Sequence, residues 1–300
     1  MRLLKETDFQ FIGWRRKAFL LSSLMIALAI ISLIIRGGPK YSIDFTGGTL
    51  VQLKFEKPIS IEEARQALTD VVGLTRYDLQ SFGGENRVIF RTAELEEREL
   101  EIALEEKLRS VFPDNHFERE RTESVGPKIG EELKEKAVLA VAYSLIGILV
   151  YITIRFEFRF GIAAVIALFH DVLITLGAFS WSGRELSLAV IAAFLTIVGY
   201  SLNDTIVIFD RIREGLALWR KESYEKVLNR SINQTLSRTV ITSGTTLFVI
   251  FCLFVLGGEV LSDFAFALLI GVITGTYSSI FVASPVLVEW YLSSSEKKGR

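Results

Sequence analysis

Cysteine is nearly absent from this chain: Cys252 stands alone among 300 residues. An intrachain disulfide is therefore impossible, and with only two histidines no Cys/His spacing makes a metal site. An excess of either charge is also lacking. The 34 Lys and Arg against 35 Asp and Glu leave a net charge of −1, which gives no electrostatic footprint for nucleic acid and no acidic tail. No G-x-x-x-x-G-K-[ST], H-E-x-x-H or G-x-S-x-G motif occurs, so nucleotide hydrolysis, zinc proteolysis and a serine nucleophile all lack their motif. The chain reads as no enzyme, holding neither metal nor cofactor. If it does work, the energy comes from elsewhere.

What the chain has in plenty is apolar length. Half of its residues are hydrophobic and the mean hydropathy is positive. Charge is segregated: long windows lack it and others are dense with Glu, Lys and Arg. That contrast predicts membrane spans joined to a water-soluble domain. The first window, Ala18–Ile35, is long enough to cross about 30 Å of hydrocarbon at about 1.5 Å per residue. It exceeds the about 7–15 apolar residues of a signal peptide, and "RGGPKYS" offers no small-x-small cleavage site, so it reads as a retained anchor. Five more windows follow, at about Ala137–Ile154, Phe160–Trp181, Leu186–Phe209, Val240–Leu256 and Phe264–Leu292. The last is long enough to tilt or to run past the membrane surface.

Six spans bring both termini to one side. Arg15, Arg16 and Lys17, then Arg155 and Arg159, the segment Arg211–Arg238, and Lys297 and Lys298 all flank that side. The opposite short loops carry only Arg184. The positive-inside rule therefore predicts cytoplasmic termini and an external segment between the first two spans. The expected division is an arm over 1–17, a first helix over 18–35, an extracytoplasmic domain with its linkers over 36–136, a five-helix bundle over 137–292 and a tail over 293–300.

The external segment has the pattern of a compact α+β domain. "TLVQLKFE" alternates Val51, Leu53 and Phe55 on one face, as a half-buried strand does. "SIEEARQALTDVVG" opens with Ser60 and has Glu63 three residues later, a capping box, followed by Ala64, Ala67, Leu68 and Val71 at helical spacing. "RYDLQSFGGENRVIFRT" is two strand-like runs about Gly83 and Gly84. "AELEERELEIALEEKLRSVF" is an amphipathic helix and "FERERTESV" a last strand. The order β-α-β-β-α-β is that of a ferredoxin-like unit.

Polar groups inside the spans carry whatever chemistry there is. The stretch "TIVGYSLNDTIVIFDRIREG" sets Asn203, Asp204 and Asp210 in one of the most apolar parts of the chain. A charge at mid-bilayer costs about 2.5–3.5 kcal/mol on insertion scales. Thr196, Tyr200 and Asp204 fall four apart and share a helical stripe. In the preceding span Ala167, Asp171 and Thr175 share another, with His170 adjacent. Arg238 begins the fifth span, followed at helical spacing by Thr242 and Thr245. A buried carboxyl that loads and loses a proton, with an arginine in reach, is the working part of a proton relay. The plainer readings stay open: Asp204 as an interhelical hydrogen-bonding group, His170 with Asp171 as a satisfied pair, Arg238 as an interfacial cation. Asp210, beside Arg211 and Arg213, reads as solvated surface, and Gly271, Gly275 and Ser279 as a close helix-packing stripe.

The segments "IDFTGGTL", "VGPKIGEEL", "FHDVLITLGAFS", "TIVGYSLNDTIVIFDRIRE" and "NQTLSRTVITSGTTL", in that order, resemble the SecF family. These are the membrane subunits that work with SecD beside the protein-export channel. The likeness runs over most of the chain; between Lys54 and Arg121 it lies in layout more than in letters. It implies one half of a resistance-nodulation-division fold, a heterodimer with SecD, and use of the proton-motive force to move or release exported polypeptides, in the cytoplasmic membrane and among its lipids. It also implies a functional Asp in "SLND", here Asp204, and a functional Arg in "LSRT", here Arg238. Thr196, Tyr200, Asn203, His170 and Asp171 are the supporting polar candidates. Two other functions fit the same spans: a non-conducting assembly scaffold, or a small-molecule exporter of the same superfamily, against which the single small outer domain argues.

Overall fold

The computed structural model describes residues 7–68, 77–81, 86–92 and 97–298. In chain order the elements are α1 (Arg15–Ile35), β1 (Lys40–Tyr41), α2 (Ile43–Thr46), β2 (Gly48–Phe55), α3 (Ile61–Leu68), β3 (Tyr77–Ser81), β4 (Arg87–Thr92), α4 (Glu97–Val111), β5 (Phe117–Val125), α5 (Pro127–Arg155), α6 (Phe158–Ser182), β6 (Glu185–Leu186), α7 (Leu188–Leu218), α8 (Tyr224–Leu256), α9 (Gly258–Ser278) and α10 (Ser284–Lys298). They form two compact units, one of residues 41–138 and one of 1–40 with 139–300.

The smaller unit is built on an antiparallel sheet of order β3-β4-β2-β5, with α3 and α4 in the connections. Along β2 the side chains alternate between faces. Val51, Leu53 and Phe55 enter a core with Ala64 of α3, Leu79, Val88, Phe90, and Leu100, Leu104 and Leu108 of α4. Leu50 turns the other way, toward Ile43, Ile89 and Val125. The expected capping box forms: Ser60 Oγ accepts from the Glu63 amide and Glu63 Oε2 accepts from the Ser60 amide, both at 3.1 Å. Two orphan amides of α3 are thereby satisfied. The side chains of Ala67, Leu68 and Val71, and the turn at Gly83 and Gly84, lie outside the described residues. The paired glycines of "IDFTGG" have a steric reason. Gly47 ends α2 at φ +70°, and a Cβ there would meet Pro127 Cα at 2.7 Å; one on Gly130 would meet the Gly47 nitrogen at 3.0 Å. The two motif segments thus pack backbone to backbone, which only glycine permits.

The larger unit is helical. Among the described residues six helices are long and apolar enough to cross a membrane: 12–35, 127–155, 158–182, 188–218, 224–256 and 261–293. They contain five of the six sequence windows; the fourth starts two residues early, since Leu186 belongs to β6 and Ser187 caps α7. Several helices outrun their windows, because α7 continues through Arg211 and Arg213 to Leu218 and α8 begins at Tyr224, fourteen residues before Arg238. Helix formation needs good helix formers rather than apolar ones, so a hydropathy window marks only the middle of such an element. Asp210 at this end of α7 is bracketed by Arg155 and Arg213, each at 3.2 Å.

Within the bundle α6, α7 and the last span are central, each half or more buried along its apolar window. Close crossings use small residues. A Cβ on Gly177 of α6 would lie 2.3 Å from Ala29 Cβ of α1, and one on Gly271 of α9 would lie 2.3 Å from Ile197 of α7. The last span is one continuous rod with a widened π turn, Ser279–Ala283, between α9 and α10. Pro285 follows it. Its missing N–H and its ring are incompatible with an ordinary preceding turn, and the Ser284 hydroxyl reaches back to the Ser279 carbonyl at 2.9 Å. The segment before α1 is also anchored. The Phe9 and Ile12 amides donate to Asn233 and Asn229 of α8, both at 2.9 Å, and Ile12 is fully buried.

Candidate functional site

Asp204 lies on the buried side of α7, 3% exposed, where α7, α8 and α9 meet. Ser243 of α8 donates to Asp204 Oδ2 at 3.2 Å. The Thr276 hydroxyl of α9 in turn lies 2.8 Å from Ser243 Oγ and 2.8 Å from the Val272 carbonyl of its own helix, and shares its one proton between them. One carboxylate thus draws a short hydroxyl chain from two neighbouring helices. Its Coulombic partner is Arg238, whose charge reaches Asp204. No direct ion pair joins them among the described residues, and the arginine is exposed on this chain's surface. Five residues separate Arg238 from Ser243, which on a helix of about 3.6 residues per turn puts them on different faces.

The expected inward stripe does not form as a unit. Tyr200 is half-buried and Thr196 is exposed. Thr196 Oγ1 donates to its own helix at the Ala192 carbonyl, 2.8 Å, and the buried Tyr200 hydroxyl has no partner among the described residues. Neither therefore bonds Asp204. The cause is geometric: four residues exceed one turn by about 40°, so Thr196 is rotated about 80° from Asp204. Asn203 is exposed too. Thr242 and Thr245 likewise return their hydroxyls to α8 backbone carbonyls at 3.0 and 2.9 Å, as Ser and Thr in helices commonly do.

A second buried centre lies on α6. Asp171 is completely buried and His170 is 3% exposed. Their side chains meet at 2.9 Å through Oδ1 and Nδ1. Asp171 Oδ2 accepts from Ser201 of α7 at 2.7 Å and from Ser278 of α9 at 2.8 Å. His170 Nε2 contacts Ser22 Oγ of α1 at 3.1 Å, and its ring stacks on Tyr277. The two centres grip the same pair of helices: Ser201 precedes Asp204 by one turn, and Ser278 follows Thr276 by two residues. Ser22, Ser201, Ser243, Thr276, Tyr277 and Ser278 were not singled out by the sequence. Small hydroxyls are common in spans, and nothing in their type separates a hydrogen-bond donor to a carboxylate from one that returns to its own backbone. A cavity of about 290 Å³ lined by Glu157, Arg159, Trp219, Arg220 and Tyr224, among others, includes none of these residues.

Six apolar helices with two buried carboxyl centres, and a separate α+β unit inserted after the first helix, define a polytopic membrane protein with its polar chemistry inside the bundle. Residues 103–293 match the family described as "Protein export membrane protein SecD/SecF, C-terminal", and residues 31–59 match the "SecD/SecF GG Motif". The chain is 47% identical to a protein translocase subunit SecF of Rhodothermus marinus, over 96% of this chain and 95% of that one. It is 48% identical to the SecF of Desulfurispirillum indicum, over 93% and 91%. Among solved structures, it is similar to SecDF, a translocon-associated membrane protein from Thermus thermophilus, with a TM-score of 0.87 and 42% identity. That match covers 95% of this chain and 39% of the longer one. A SecDF structure in a super-membrane-facing form matches with a TM-score of 0.71 and 40% identity, over 99% and 40%. The chain belongs to the SecD/SecF family, as a subunit of the SecF type.

Proposed function

We propose that this chain couples proton movement at Asp204 to protein export, as the SecF half of a pair with SecD at the export channel. The observation that carries the reading is a carboxyl 3% exposed within an apolar helix, tied by a single hydroxyl to α8 and within electrostatic reach of Arg238. A structural carboxylate at such depth would be expected to have its acceptor sites filled by donors, as those of Asp171 are. Among the described residues Asp204 instead receives one side-chain donor, Ser243, and no carboxylate forms an ion pair with Arg238. One proton moving through a membrane potential supplies about 2.3 kcal/mol per 100 mV, enough to bias a two-state arrangement of helices. The proton gradient is the energy source, with no covalent chemistry and no cofactor.

The pairing with SecD draws support from the surface of α7. Ala192, Thr196, Gly199 and Asn203 are all exposed at helical spacing, a small and polar stripe that suits a neighbouring helix better than lipid. The likeness to roughly two fifths of the SecDF chain fits one subunit of a pair. Export would be a late step, in which the outer unit moves or releases polypeptide beyond the membrane.

The orientation follows the basic flanks: a multi-pass protein of the cytoplasmic (inner) membrane, with both termini in the cytoplasm and residues 36–136 outside. With Cys252 replaced, a cysteine at Asn86 should be labelled by an impermeant reagent in intact cells and one at Ser294 should not. The reverse pattern would invert the topology.

The relay itself is tested by Asp204→Asn and Arg238→Met. Each should abolish gradient-dependent export while the protein still folds and co-purifies with its partner. Normal export by Asp204→Asn under a full gradient would mean a scaffold whose buried Asp serves packing alone.

A further inference from the structure

We propose that His170 and Asp171 share a single proton and act as a charge-neutral positioning pair for Asp204, not as a second relay. The inference deepens the proton-coupled reading of Asp204 and rests on it for the word positioning. The proton assignment stands on hydrogen-bond polarity alone.

The polarity is fixed from its far end. The Ala18 carbonyl can only accept, so the Tyr277 hydroxyl donates to it, at 3.0 Å. The Tyr277 oxygen must then accept from Ser22, at 3.2 Å. The one proton of Ser22 is thereby used, and its oxygen accepts from His170 at 3.1 Å. His170 Nε2 therefore carries hydrogen. At the near end, Asp171 Oδ2 receives the hydroxyl proton of Ser201 at 2.7 Å and that of Ser278, which lies nearer the carboxylate, at 2.8 Å, than the Gly275 carbonyl, at 3.2 Å. Only the 2.9 Å contact between Nδ1 and Oδ1 remains, and it needs one proton. On nitrogen, that proton makes an imidazolium beside a carboxylate; on oxygen, a neutral imidazole beside a carboxylic acid. The pair has no net charge in either form. The side chains bonded to it, Ser22, Ser201 and Ser278, are uncharged as well. A neutral unit avoids the cost of an isolated ion in the bundle.

The same polarity argues against a conduit. The hydroxyl chain ends on a backbone carbonyl, which can pass no proton onward. What the pair does instead is hold helices. Through Asp171 it ties α6 to α7 at Ser201, one turn from Asp204, and to α9 at Ser278, beside the Thr276–Ser243 bond that leads to Asp204. Through His170 it holds α1. The turn of α7 that precedes Asp204 is thus held to α6, α9 and, through His170, α1.

The amide of Asp171→Asn reproduces the neutral form. Its oxygen can accept from both serines and its nitrogen can donate to Nδ1 of an imidazole protonated at Nε2. Asp171→Leu can do neither.

The first measurement uses the full-length chain with its partner, ¹⁵N-labelled at histidine, with His116→Gln leaving His170 as the sole imidazole. A proton on Nε2 at neutral pH is expected, in this chain and with Asp171→Asn added; a bare Nε2 would overturn the assignment. The second is gradient-driven export. Asp171→Asn should export at the native rate and Asp171→Leu should lose export. Loss in Asp171→Asn as complete as in Asp204→Asn would mean that the pair itself passes protons and would overturn the proposal. Native export by Asp171→Leu would remove the positioning role. Normal export by Asp204→Asn would remove the relay and leave the Nε2 result untouched.

Discussion

Gly271 shows how a single missing side chain fixes a helix crossing. A Cβ there would lie 2.3 Å from two atoms of Ile197, itself fully buried. Gly271→Leu should therefore force α9 off α7, with the about 1–3 kcal/mol cost usual for overpacking. A lowered midpoint in thermal unfolding of the detergent-purified protein is the expected result; an unchanged midpoint would show that the crossing is slack. The stripe of small residues through Gly271 and Gly275 was legible in the sequence as packing, because small residues four apart align on one face. Asp204 was legible as well, since a carboxylate at that depth is costly wherever its partners lie. Its partner Ser243 was not. Nothing along the chain says which face of α8 turns toward α7, and Arg238 and Thr242 were as good a choice by type.

At the scale of elements, the spans could be found by apolar length, and the strands of the smaller unit by alternation. Val51, Leu53 and Phe55 enter one core together because a strand has no other way to bury three residues at a spacing of two. The capping box at Ser60 and Glu63 is equally local, and both of its bonds form. Features that depend on tertiary packing left weaker traces. Tyr200 and Thr196 were expected to line up with Asp204, but a four-residue repeat drifts around an α-helix and carries Thr196 to the surface. The π turn before Pro285 was not foreseen, although the proline stood in the last apolar window. The docking of residues 9–12 on α8 was missed for the same reason as Ser243: Asn229 and Asn233 lie in a polar stretch where their amides could as well have bonded water.

At the scale of the whole molecule, the bundle is incomplete by its own chemistry. The face of α7 bearing Ala192, Thr196, Gly199 and Asn203 is exposed, and Arg238 is exposed on α8. Polar side chains facing hydrocarbon are costly, and membrane helices usually turn them toward protein or water. A second chain laid along α7 would cover the stripe and approach closely over Gly199. Among the described residues, apart from its chain neighbours and the nearby backbone of its own helix, no atom lies within 4 Å of where its Cβ would be. Gly199→Leu should thus leave the isolated subunit folded, and even favour the helix by up to about 1 kcal/mol, since glycine is a poor helix former. In the pair, the same side chain would occupy the contact. The expected outcome is a subunit that is purified in normal yield and melts no lower than the native chain, yet loses its SecD partner on co-purification. Gly271→Leu should do the opposite, weakening the subunit from within. If Gly199→Leu retains its partner fully, the stripe faces lipid or water, and the surface that joins the two halves lies elsewhere on the bundle.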